Sequence, residues 1–87
     1  MMPWIECVVA DSVIHAQAMR RWLGLDDAVL VHSYGDPLPE HCDVIHIVRP
    51  LRGPSETHIR WIVEYVRPRA RKVSIGPWAQ ARLETGG

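Results

Sequence analysis

The sequence predicts a small α/β domain in which strands and helices follow in the order β-α-β-β-α-β around a mostly parallel four-stranded sheet. Three observations carry that expectation. Short, nearly continuous apolar runs at residues 4–10 and 44–48 have the character of strands buried on both faces, which belongs to parallel sheets. Elsewhere the apolar period lengthens to three and four residues, at Ile14, Ala18, Met19, Trp22 and Leu23 and again at Ile59, Ile62, Val63 and Val66, as amphipathic helices require. Glycine and proline punctuate the changes of period, at Gly24, Pro37, Pro39, Gly53, Pro54, Pro68, Gly76 and Pro77.

Residues 4–10 form the first strand, central in the sheet because only Glu6 interrupts its apolar character. Asp11 or Ser12 caps a helix over Val13–Leu23, and Gly24 ends it, since a residue without Cβ adopts the left-handed conformation of a helix C-terminus at little steric cost. Ala28–His32 is the second strand. Two prolines in 36–40 remove backbone donors, so that segment is a loop. Val44–Val48 is the third strand, apolar in both directions and expected inside the sheet with cover on two sides. Pro54 in the first turn, with Gly53 or Ser55 near the cap, opens a second helix that runs to about Val66, where Pro68 stops it. Burial of its stripe Ile59, Ile62, Val63 and Val66 contributes on the order of 6–12 kcal/mol before chain entropy is subtracted. Lys72–Ile75 is the fourth strand, and residues 77–87 form a C-terminal tail in which 78–83 have room for one or two helical turns and 84–87 fray.

Eighty-seven residues make one domain, 1–87, with a single small core. At 47% apolar and 23% charged residues the composition is that of a globular protein rather than a disordered chain. The formal net charge is zero, so no global field draws the chain to nucleic acid or to acidic membranes. Charge is nevertheless uneven. Arg67, Arg69, Arg71 and Lys72 lie together, while Asp26, Asp27, Asp36, Glu40 and Asp43 make the middle acidic, a dipolar pattern suited to a protein partner or a second copy. Nine arginines against one lysine reflect a GC-rich genome rather than bidentate chemistry. Cys7 and Cys42 are too few and too far apart in sequence for a disulfide scaffold or a CxxC site and fit a reducing cytoplasm. Without a basic, then apolar, leader or a long apolar run, nothing in the sequence directs the chain to a membrane or out of a cell.

Parallel strands gather ligand-binding groups beyond their carboxyl ends. Those ends supply Asp11 and Ser12, then Ser33 and Tyr34, then Arg49 and Arg52, then Gly76 and Trp78. Asp11, Ser12, Arg49 and Arg52 are the candidates for a small ligand or phosphate site. Their plainer roles are to cap the first helix and to sit solvated in a loop. A nucleotide cradle needs glycines where this chain has Ala10-Asp11-Ser12-Val13, and Mg²⁺ at Asp11 needs a second acid where Arg49 stands. Ser12 as a nucleophile needs a neighbouring base and an oxyanion hole; its context is not G-x-S-x-G, and spacing alone does not assign His15, one turn into the helix, as that base. His15, His32, His41, His46 and His58 contain no H-x-x-x-H pair, and His46, inside the third strand, is expected to be hydrogen-bonded within the fold. No catalytic residue, metal site or cofactor is therefore assigned.

Arg67, Arg69, Arg71 and Lys72 form the best candidate for weak nucleic-acid contact, but no interleaved aromatic pair accompanies them to stack bases, and cations at a helix C-terminus complement its dipole without any ligand. Four tryptophans in so short a chain carry more weight. Trp61 and Tyr65 make a second apolar face beside the stripe of the second helix, and with Arg60 and Trp78 they are the expected partner-binding residues.

The pattern Val8-Val9-Ala10-Asp11-Ser12, the helix closing on Trp22-Leu23-Gly24-Leu25-Asp26-Asp27, and the runs Ala28–Ser33 and Cys42–Val48 resemble a family of short proteins encoded by phages of GC-rich actinobacteria. These are similar to the first half of a helicase or P-loop ATPase core whose glycine-rich loop has been lost. The resemblance spans about residues 4–75 and implies a Rossmann-like fold and an accessory factor made during infection, in the host cytoplasm. It carries over no catalytic residue, because the phosphate loop is missing at 10–13 and no acidic pair follows Val48. The function expected is that of a non-enzymatic protein-interaction factor acting through an aromatic and arginine surface.

Overall fold

A computed structural model describes residues 3–52 and 55–76. Strand β1 (Glu6–Ala10) leads into helix α1 (Val13–Trp22), followed by β2 (Leu30–Ser33), β3 (Cys42–Ile47), α2 (Glu56–Trp61) and β4 (Ala70–Ile75). The second helix does not stop at Trp61: a π-helical turn over Ile62–Val66 and a 3₁₀ turn over Arg67–Arg69 carry it to β4. The domain is α/β, and its four strands are all parallel. Their order is β2-β1-β3-β4, with β1 and β3 central. Residues 77–87, including Trp78, lie outside the described residues.

Local signals place the helices where the sequence does. Ser12 is the N-cap of α1, its Oγ accepting the His15 N–H at 3.1 Å, and Gly24 closes the other end with φ +71°. Ser55 caps α2 in a reciprocal box with His58, which stands in the position usually held by Glu or Gln. Because the chain steps from β1 to β2 in one direction and from β3 to β4 in the other, right-handed crossovers put α1 and α2 on opposite faces of the sheet. The core divides accordingly. Val8 and Ala10 meet Ala16 of α1 and Val29, whereas Cys7, Val9, Ile45 and Ile47 meet Ile62 and Val66 from the second helix. The β2–β3 connection crosses β1 without a helix. Leu38, between its two prolines, fills the α2-side core, and its N–H donates to the Tyr65 hydroxyl at 3.0 Å.

Three burial expectations are corrected. On α1 the apolar periodicity does not mark the buried face: Ala16 is the fully buried residue, while Ile14 and Trp22 point to solvent. Arg20 explains the rotation, since its guanidinium donates to the carbonyls of Val29 at 2.9 Å and Asp27 at 3.3 Å and so occupies the sheet side of the helix. On the second helix the π turn, closed by the Arg67 N–H to the Ile62 carbonyl, inserts an extra residue into the helical repeat; Ile62 and Val66 stay buried and Val63 is exposed. Strand β3 is not covered equally on its two sides. Ile45 and Ile47 are buried under the second helix, but Val44, His46 and Val48 remain half-buried on the α1 side, because α1 packs over β1 and β2.

Candidate functional site

At the carboxyl ends of β1 and β3, where an open parallel sheet reverses its strand order, the polar side chains hold their own loops. Asp11 Oδ2 accepts the Leu51 N–H at 2.6 Å and fastens the β3–α2 loop to the start of α1. The Ser12 hydroxyl is the cap of α1. Ser33 donates from both its N–H and its hydroxyl to Asp36, at 3.0 and 2.8 Å, which holds the Asp36 carboxyl below the usual carboxylate range. Tyr34 donates its hydroxyl to the Val48 carbonyl; burial, with Asp11 nearby, pushes its phenol above the ordinary value and keeps it a neutral donor. Arg49 and Arg52 are exposed on the same loop. The structure thus brings Asp11 to the Leu51 end of that loop, with the carboxylate already serving the backbone.

A groove of about 700 Å³ opens at the opposite, amino-terminal edge of the sheet, with Pro3, Ile5, Pro39, Cys42 and Pro68 in its apolar lining. Three of its charged groups, Asp43, Arg69 and Arg71, are engaged within the fold. Asp43 accepts the Ile5 N–H at 2.8 Å and faces Arg71 at 3.8 Å, and Arg69 donates to the Tyr65 carbonyl at 2.9 Å while its guanidinium lies 3.7 Å from the Tyr65 ring centroid. Among the described residues no group of three or more His, Cys, Asp or Glu is placed to hold a metal ion.

Of the basic cluster, Arg69 is tied to Tyr65 and Arg71 faces Asp43, while Lys72 of β4 stands in register with Val44 of β3 and Arg67 is exposed. His46 finds the partner expected inside the fold, its Nε2 lying 2.5 Å from Glu6 Oε2 across the β1–β3 ladder.

The aromatic residues of the second helix are placed differently from the exposed surface expected of them. Trp61 and Tyr65 stack with ring centroids 5.8 Å apart, Tyr34 meets Trp61 edge-on at 5.6 Å, and both Trp61 and Tyr65 are half-buried against the α2-side core. Only Arg60 of the described trio is fully on the surface. The π turn goes with this placement: Tyr65 reaches Leu38 while Val63 is exposed.

Among the described residues, an exposed aromatic and arginine surface lies on α1. Ile14 is 79% exposed and Trp22 78%; Ala18 between them and Arg21 beside Trp22 are also exposed. Spaced four residues apart, Ile14, Ala18 and Trp22 run along one side of the helix. Leu51, 78% exposed, is held next to the start of the same helix by Asp11. The signal was present in the periodicity of 14–22, but periodicity does not say which side of a helix meets its sheet. Comparison of the chain with protein-family models, curated proteins and solved structures finds no match.

Proposed function

We propose that this chain is a non-enzymatic protein-interaction module, an accessory factor of the kind its resemblance to short phage proteins implies, whose contact surface is the outer face of α1. One observation carries the reading: among the described residues, the three large apolar side chains most exposed to solvent, Ile14, Trp22 and Leu51, belong to one helix and the loop fastened to it. Isolated exposed apolar residues are ordinary; Ile14 and Trp22 on one side of a helix, with Arg21 beside Trp22, have the composition of a binding hot spot. The commitment of Asp11, Ser12 and Tyr34 to backbone partners, and of Ser33 to the Asp36 carboxylate, supports a role without chemistry at the carboxyl edge.

A photo-crosslinking residue at Arg21, in extract of the source cells, tests this. The expected result is a discrete protein adduct that Ile14→Asp abolishes and that the same probe at Arg67, on the far side of the sheet, does not give. An adduct insensitive to Ile14→Asp, or equal at both positions, overturns the proposal.

A further inference from the structure

The outer face of α1 is built so that it can meet itself. Ala18 lies midway between Ile14 and Trp22, four residues from each. When two such helices cross antiparallel at Ala18, the small side chains let the backbones approach, and Ile14 of each copy falls on Trp22 of the other. The same antiparallel arrangement brings the Arg21 end of one helix toward the Asp11 end of its mate, and it opposes the helix dipoles favourably. A parallel arrangement would set the exposed Arg21 against its own copy. The zero net charge of the chain adds no overall repulsion between two molecules.

We infer that the partner of this surface is a second copy of the chain, joined across a two-fold axis at Ala18, an inference that rests on the reading of α1 as a docking face. An isologous contact of this kind uses one patch twice and closes at two subunits. The stripe of a ten-residue helix is smaller than the roughly 800 Å² per partner of a standard interface, so the dimer is weak and reversible.

Sedimentation equilibrium of the full chain from about 5 to about 500 μM, a range that brackets the affinity of a small interface, tests the inference. The expected result is a monomer–dimer equilibrium that Trp22→Ala and Ala18→Glu each weaken at least about tenfold. Both positions are exposed, and unchanged circular dichroism verifies that the variants fold. The axis is tested separately. In a glutathione redox buffer Ala18→Cys forms a disulfide-linked dimer, because a residue on a two-fold meets its own copy, whereas Val63→Cys, exposed on the other helix, does not. A chain that stays monomeric throughout, or whose association ignores both substitutions, overturns the inference. If the Arg21 adduct to another protein then persists and still depends on Ile14, only the choice of partner has failed; if both are silent, α1 is not a docking face.

Discussion

Glu6 shows how one side chain in the first strand couples stability to pH. The Trp4 Nε1–H donates to its Oε1 at 3.0 Å, and His46 Nε2 lies 2.5 Å from its Oε2; these partners, Trp4 foremost, hold the carboxyl below its ordinary value against the opposing effect of burial. A carboxyl whose pKa is lower in the folded chain than in the unfolded one stabilises the fold above the unfolded value and loses that contribution as pH falls through the folded one. Thermal melts between pH 5 and 3 are therefore expected to fall less steeply in Trp4→Phe than in the parent. The difference corresponds to under about 1 kcal/mol, the scale of one hydrogen bond. A second residue-scale prediction concerns Gly24, whose φ of +71° leaves room for a Cβ but not for its preferred backbone conformation. Gly24→Ala should cost about 1 kcal/mol in urea unfolding and Gly24→Asn less, because only backbone strain is introduced.

At the scale of elements, equal hydrophobicity in the sequence has unequal consequences. Ile14 and Ile62 are the same residue type on the two helices, yet one is 79% exposed and the other fully buried. Ile62→Ala is expected to destabilise by about 2–4 kcal/mol, through lost transfer energy and a cavity beneath the second helix. Ile14→Ala should change stability by less than about 0.5 kcal/mol. Chemical denaturation of the two variants side by side distinguishes this arrangement from one in which α1 turns its apolar stripe inward. The caps were readable in advance, since Ser12 and Ser55 each needed only a hydroxyl placed three residues before a free N–H. The π turn was not. Pro68 signals an end to the helix, but the extra residue in the turn before it depends on Tyr65 reaching Leu38, a contact between segments twenty-seven residues apart.

For the molecule as a whole, strand register decides what the two cysteines can do. Cys7 lies opposite Ile45, three residues along β3 from Cys42. The sulfurs approach to 4.0 Å, and both thiols are free and buried. Burial pushes the Cys7 thiol up to about 12 and raises that of Cys42 as well. Both thiols should resist a thiol reagent at neutral pH in the folded chain and react together on unfolding; fast labelling of Cys7 without unfolding would contradict the packing. The sequence by itself determined the α/β class, the element order, the central place of β1 and β3, and the absence of glycines at the first strand–helix junction, because period, capping and turn chemistry act between residues close along the chain. Tertiary structure alone decided that Asp11 holds Leu51, that Trp61 and Tyr65 serve the core, and that Ile14 and Trp22 face outward. Those outcomes depend on how far each helix rotates against its sheet, and that angle is set by contacts such as Arg20 with Val29 and Tyr65 with Leu38, which no local pattern encodes.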